Sequence, residues 1–588
     1  MPPTLRRATF RSAALAALIS GATAAQSPAP PPDLILHHGR IITVDAADHV
    51  RAAIAIRGNR IIAVGSNADV LRIAGPRTRR IDLQGRAVTP GLIDAHSHFS
   101  GGATDRFFLL DVSYPAVKGI ADIVAAVRAR AAKTPKGAFI EGSGWDEGKF
   151  IERRMITARD LDAVSSDHPV VLTNTTGHYV VANSAALRLA HVTRDTPDPP
   201  SGTIDRAADG TPTGVLKERA QDLVTSLIPA FTTAQQAEAM RALAREYSAE
   251  GMTGIKDPGI SEATFANYRA LAADRALPLR VFALFSGGRT VADARALITA
   301  RAATTRPYVS TGDDHVIAGG VKLFADGSGG ARTAWMYDDW NLGYTGTDTG
   351  NKGYPNIDPD TLRAMILLYH RAGFHISTHS IGDRTIDWVI DSYAAAERDT
   401  AIKGLRHGII HVNVPTDHAI AEMARLEREY DVAYPEPSAS FHWWIGDNYA
   451  GNFGPVRAKR LNPFRTYQKH GILWANTSDF PVTPFAARYG LWASVARTTM
   501  LDRYPGDPFG RDEAVDVHTA LKSITIWAAR QLFLEQKVGS LEVGKLADLA
   551  VWDRDPYAVP TAALKEMRCL LTVFDGAVVY RRPGGPFR

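Results

Sequence analysis

From Asp33 to about Val88 apolar and polar residues alternate in short runs, LILHHGRIITV, RAAIAIRGNRIIAVG and RTRRIDLQGRAVTP, broken by Gly, Asp and Asn. A period of two puts one face of each run inside and the other in water, so these segments read as β-hairpins of a small all-β unit. The same texture returns only near the other end, in GSLEVGKLADLAVWD and LTVFDGAVVYRR. Residues 33–90 and 537–588 are therefore expected to complete one β-sandwich domain that brackets the rest.

Residues 91–536 alternate short apolar runs with amphipathic helical stretches, the pattern of β/α units. One unit is explicit: Asp358 caps a helix, Pro359 opens it, TLRAMILLYHRA carries it, Gly373 stops it and FHISTHS is the next strand. The same reading gives strands at GLIDAH, TGIKD, LRVFALF, GVKLFA, FHISTH, RHGIIH, DVAYPE and ILWANTSD. Eight such units predict an α/β fold of the (β/α)₈ TIM-barrel type. The stretch from about 100 to 250 is too long for one crossover and holds strand-like pieces of its own, AFIEGSG and PVVLTNTTG, so it is expected to be an inserted subdomain over the barrel mouth.

Composition narrows the function classes. The 588-residue chain carries 67 basic and 62 acidic residues with no basic block, so its net charge of +5 argues little for nucleic acid. With one cysteine, Cys569, an intrachain disulfide is excluded and thiol chemistry is disfavoured. Residues 1–25 have Arg6, Arg7 and Arg11, then an apolar run from Ala13 to Ile19, then small residues: the order of a cleaved signal peptide of Sec or Tat type. The run is too short for a stable membrane anchor. A Pro-rich linker, 26–32, follows, and a periplasmic or secreted location is expected.

The candidate chemistry sits where apolar runs give way to loops. His96 and His98 end the first strand of the barrel, and residues two apart on a strand share a face. His379, His411 and Asp479 end three later runs. In a parallel barrel all of these fall on the face where active sites are built, and imidazole and carboxylate are the usual nitrogen and oxygen ligands of zinc. His375 and His407 lie deeper on their strands and read as packed core. Lys322, inside GGVKLFADGSGG, is anomalous, because a lone ammonium in a buried strand loses hydration without return.

As a set, AVTPGLIDAHSHF, GWDEGKF, TNTTGHYVVANSAAL, SGTIDRAADGTPTGVLKERA, VKLFADGSGGARTA, STHSIGDRTID, IIHVNVP, NTSDFPVTP and VGSLEVGKLADLAVWD resemble the metal-dependent amidohydrolase superfamily, in the amidohydrolase 3 group that includes N-substituted formamide deformylase-like proteins. The resemblance covers nearly the whole chain after residue 32. It implies a binuclear zinc centre with His96 and His98 on one ion, His379 and His411 on the other, and Asp479 on the first as proton acceptor. Lys322 falls at the family's metal-bridging lysine, where a neutral amine that adds CO₂ becomes a carbamate; the alternative is a lysine paired with Asp326, and a single metal. The resemblance also places His178 in the insertion motif as an oxyanion contact. One departure is Ile410, where relatives carry an acidic residue before the histidine.

Trp145, Trp443 and Trp444, with Asp326, are expected to line the substrate pocket. The function so implied is hydrolysis of an amide or other non-peptidic C–N bond by a metal-activated water, with a small-molecule substrate and, from resemblance alone, a homodimer. Three rivals remain: an ester or lactone hydrolase on the same site, a mononuclear deaminase, and a non-catalytic binding protein.

Overall fold

The computed structural model describes residues 30–587 apart from 166, 306–313 and 344–345. The expected signal peptide and most of the linker lie outside the described residues.

Seven parallel strands form the central sheet. In chain order they are β1 (Leu92–Asp94), β2 (Met252–Ile260), β3 (Arg280–Ser286), β4 (Val316–Phe324), β5 (His375–Ser380), β6 (Gly408–His411) and β7 (Tyr434–Glu436), each paired with the next. Both faces of such a sheet are covered, so the strands are almost wholly buried rather than alternating. Helices Glu262–Ala273, Val291–Arg301, Pro359–Arg371, Asp383–Asp399 and Asp417–Tyr430 follow β2 to β6 and pack Met365, Ile366, Val389, Ile390 and Met423 into one large core. The helix at 359–371 forms for the local reason visible in the sequence: the Asp358 side chain accepts from the Thr361 N–H, Pro359 occupies the first position, and Gly373 follows at φ 76°. The architecture is a TIM-like α/β fold.

The eighth expected strand, ILWANTSD, is not one. Residues 472–479 run beside β7, with the Ala475 N–H donating to the Pro435 carbonyl at 3.2 Å and the Thr477 N–H to that of Pro437 at 3.0 Å. Toward β1 the contacts are irregular: the Asp94 carboxylate accepts from the Ser478 N–H at 3.0 Å and from its hydroxyl at 2.5 Å, and the Asp479 N–H donates to the His96 carbonyl at 2.9 Å. A side chain here replaces ladder bonds, so the segment is held in place without being a strand.

Three further sheets flank this one. A six-stranded mixed sheet draws all its strands from residues 110–218 and buries its own cluster, including Trp145, Phe150, Leu172 and Tyr179. The chain ends supply the other two: Arg60–Gly65, Ala53–Arg57, Leu34–His37 and Arg79–Asp82 form one, while Ala577–Arg581, Cys569–Phe574, Leu549–Trp552, Ala87–Pro90, Arg40–Ile42 and Val50–Arg51 form the other. A single cluster containing Leu36, Ile54, Ile81, Val88, Leu549, Val551 and Leu571 is shared between them. No helix among the described residues is long and apolar enough to cross a membrane.

Candidate metal centre and active site

The carboxyl ends of the central strands bring His96, His98, Lys322, His379, His411 and Asp479 to one place. His96 and His98 leave the end of β1, Lys322 projects from β4, His379 from β5 and His411 from the last position of β6. Asp479 Oδ1 lies 3.2 Å from His96 Nε2 and 3.4 Å from His98 Nε2, and Oδ2 lies 3.9 Å from His411 Nε2. The rings of His379 and His411 are 4.7 Å apart and those of His96 and His411 5.5 Å. Two of these residues hold left-handed backbone, His411 at φ 70° and Asp479 at φ 56°, conformations that cost energy in a non-glycine residue and aim both side chains inward.

These groups lack the partners that buried polar atoms normally have. Both ring nitrogens of His96, Nδ1 of His411, Lys322 Nζ and Asp479 Oδ1 are buried without a hydrogen bond. The ligand atoms of His96, His98 and Asp479 all fall within 4.8 Å of one another. Burial, above all, drives His96 and His379 well below the ordinary imidazole value and His411 to about 3. Burial would raise the Asp479 carboxyl, but His411 and the adjoining His96 and His98 outweigh it and hold it well below its usual range. Imidazole nitrogens and a carboxylate oxygen buried together without partners are the donor set a zinc-class cation takes, so the residues fit a metal. The His379 Nε2–H donates to the Gly327 carbonyl at 2.9 Å, which leaves Nδ1 with the free lone pair.

Lys322 does not pair with Asp326. The Asp326 carboxylate is taken up by backbone, accepting from the N–H groups of Ile381 at 3.1 Å, Gly382 at 2.9 Å and Trp335 at 3.1 Å. Lys322 Nζ instead rests 4.3 Å above the Phe324 ring, and burial pushes its ammonium down to about 7 against the Asp479 and Glu436 carboxylates.

A cavity of ≈ 390 Å³ opens onto these groups, with His98, His379, His411 and Asp479 on its floor and Thr173–His178 and Glu218–Asp222 on its wall. His178 stands there with its ring 5.2 Å from His379. Its Nδ1 is 3.0 Å from Glu218 Oε2, and the Glu218 N–H donates to the His178 carbonyl at 2.8 Å. Burial works to lower the His178 pKa, but Glu218 outweighs it and raises it. Glu218 also accepts from Thr333 at 2.5 Å and sits at φ 49°. Nothing in its spacing marked it; only its pairing with a histidine forty positions away gives it a role.

The structure places three expected pocket aromatics and one expected acidic residue away from the cavity. Trp145 is fully buried in the flanking sheet's cluster, its Nε1–H donating to Leu172 O at 2.9 Å. Trp443 packs on Tyr489 and Trp492, and Trp444 carries Lys149 Nζ 4.0 Å above its ring. Asp326 braces the loop after β5. None of the four lines the cavity. Phe324, Arg219 and Arg289 do. Ile410 is fully buried.

Fold and site together place a candidate metal-binding centre at the end of a parallel barrel-like sheet. The chain belongs to the amidohydrolase family, whose model matches residues 79–580. It is 28% identical over 551 residues to putative amidohydrolase YtcJ of Bacillus subtilis, covering 93% of this chain and 99% of that one. It is also 28% identical over 570 residues to the N-substituted formamide deformylase of Arthrobacter pascens, covering 94% and 99%. Among solved structures it resembles an uncharacterized metal-dependent hydrolase from Pyrococcus horikoshii OT3, with a TM-score of 0.68, 22% identity and coverage of 90% and 99%. The class is therefore a metal-dependent hydrolase acting on carbon–nitrogen bonds of small molecules.

Proposed function

We propose that this chain hydrolyses an amide or another non-peptidic C–N bond with zinc at His96, His98, His379, His411 and Asp479, and with Lys322 carboxylated between two ions. The observation that carries the reading is the set of buried, partnerless donor atoms of His96, His411, Lys322 and Asp479, gathered beside a cavity that His411 and Asp479 line. In this reading the barrel is (β/α)₈, closed by residues 472–479; residues 100–250 are an insertion over its mouth, and 33–90 with 537–588 form a sandwich. Residues 1–25 direct export to the periplasm or beyond.

When bound, zinc would polarise the scissile carbonyl and lower the pKa of water from 15.7 toward about 7. The protein's own groups do the rest. Asp479, ionised and fixed by its N–H to His96, accepts the proton of the attacking water and returns it to the leaving nitrogen. His178, held by Glu218, donates to the oxygen that gains charge as the carbonyl becomes tetrahedral. At Lys322 the neutral amine would add to CO₂, the N–C bond forming as one C=O π bond opens onto oxygen and the amine proton passes to water, and the resulting carbamate would supply anionic oxygen donors for the metal. The name of the Arthrobacter pascens relative makes N-substituted formamides the first substrates to try, followed by N-acyl amino acids and aromatic amides.

The test is metal counting and turnover on one preparation. Zinc-loaded protein should hold about two ions per chain more than a variant in which His96, His98, His379 and His411 are all replaced by Ala, and should hydrolyse members of that panel. A loaded enzyme that turns over esters but no amide would overturn the reading.

A further inference from the structure

We infer that the protein holds a second, separate metal site of zinc-class chemistry on the domain built from its chain ends, with His37, His38 and Asp82 as ligands. His37 closes the strand Leu34–His37, and Asp82 closes Arg79–Asp82; the two residues are register partners in a parallel pair. The second of these strands is the edge of its sheet. His38 lies immediately beyond, where the chain leaves this sheet for the strand Arg40–Ile42 of the neighbouring one.

The three side chains converge on one point. Nδ1 of His37 lies 3.1 Å from Nδ1 of His38, and Nδ1 of His38 lies 3.2 Å from Asp82 Oδ2. All three ligand atoms fall within 4.8 Å of one another. Ligands on tetrahedral bonds of about 2.0–2.2 Å stand about 3.3–3.6 Å apart, and the His37–His38 and His38–Asp82 spacings come within a few tenths of an ångström of that. Hydrogen bonding alone serves the cluster poorly. His38 Nδ1 faces both His37 Nδ1 and Asp82 Oδ2, and a single proton on it can satisfy one of them in good geometry but not both. A cation satisfies all three.

The surroundings hold the ligands in this arrangement. His38 adopts left-handed backbone at φ 55°, which turns its ring toward that of His37, and its N–H donates to Asn67 Oδ1 at 2.8 Å. Asp82 Oδ1 is occupied by the Gln84 N–H at 2.8 Å, which leaves Oδ2 for the ion. The side chains of His38 and Asp82 are about half exposed, 51% and 49%, so water can complete the fourth position. An ion there would tie the edge strand to its neighbour at the crossover between the two end sheets. Two imidazoles and a carboxylate suit zinc, nickel or copper over magnesium and calcium.

The experiment compares full-length protein with Asp82→Asn and His38→Gln, each stripped with chelator and re-equilibrated at about 1 μM free zinc. Asp82→Asn keeps an acceptor for the Gln84 N–H, so a well-folded variant is expected, and far-ultraviolet circular dichroism checks both. Wild type should retain about one ion per chain more than either variant, and zinc affinity at this site should fall about 10–100-fold. Crystals grown with zinc should show an anomalous peak between His37 and His38. Equal zinc content in wild type and both variants, or no peak at that position, overturns the site. The difference in count does not depend on how many ions the barrel centre holds, so it stands apart from the hydrolase reading.

Discussion

The Asp479 N–H donates to the carbonyl of His96 at 2.9 Å, while Asp479 Oδ1 stands 3.2 Å from His96 Nε2. The first contact holds two non-adjacent segments of backbone at a fixed spacing, and the second is set by it. The return bond, from the His98 N–H to the Phe480 carbonyl at 2.8 Å, repeats the stitch two residues on. Two histidines of the candidate metal centre and the carboxylate are thus placed by main chain, which a side-chain substitution leaves intact.

Asp479→Asn should separate position from proton transfer. The backbone bond to His96 survives, and the amide cannot take a proton. We expect kcat to fall by about 10²–10⁴ with the fold unchanged, measured by steady-state kinetics on an amide substrate with circular dichroism as control. An activity within a few-fold of wild type would remove Asp479 from proton transfer.

Lys322 gives a second test because its Nζ has no hydrogen-bond partner and its pKa is pushed down to about 7, so a reactive neutral fraction exists at neutral pH. Zinc uptake by CO₂-depleted apoprotein should accelerate when bicarbonate is added. Lys322→Ala should hold about one ion fewer per chain and lose the bicarbonate effect, read by metal analysis and stopped-flow. Uptake indifferent to bicarbonate would leave Lys322 as an unmodified lysine.

Much of this architecture was legible because it follows from periodicity. The runs at β2 to β6 are apolar and flanked by helices with ordinary caps, so the sheet could be read directly, and the histidines could be placed at its carboxyl end. Residues 472–479 read as a strand on the same grounds, yet Asp94 competes for their backbone through Ser478, a contact between positions 384 apart. Trp145 and Trp443 misled because an aromatic side chain fits a core as well as a pocket, and local sequence does not say which. Glu218 was invisible for a related reason. Its role depends on a left-handed residue and a folded-back hairpin, neither of which leaves a pattern in the chain.

Glu218→Gln tests that missed residue. The amide still accepts from Thr333 but no longer carries the charge that outweighs burial at His178. If His178 donates to the developing oxyanion, kcat should fall about 10²–10³ with KM little changed, and His178→Ala should add little further loss. Independent, multiplying losses in the double variant would show that the two residues do not act as one unit.

The last test reaches the same segment from its far end. Glu427, in the helix Asp417–Tyr430, accepts the Leu473 N–H on both carboxylate oxygens, at 3.2 and 3.1 Å, and Leu473 begins the run that ends in Asp479. Burial, only partly offset by that bond and by Arg530, pushes the Glu427 carboxyl up to about 8 from an ordinary 4.5. Between those values the folded chain binds more protons than the unfolded one, so stability must fall as pH rises through that window. Glu427→Gln keeps an acceptor for Leu473 and removes the charge. The variant should melt close to wild type near pH 4.5 and gain on it steadily up to about pH 8, by about 3–4 °C, in thermal melts at matched ionic strength. A difference that does not change with pH would mean that Glu427 stays ionised beside Leu473, and that the entry to the Asp479 segment is held by a charged hydrogen bond instead of a neutral one.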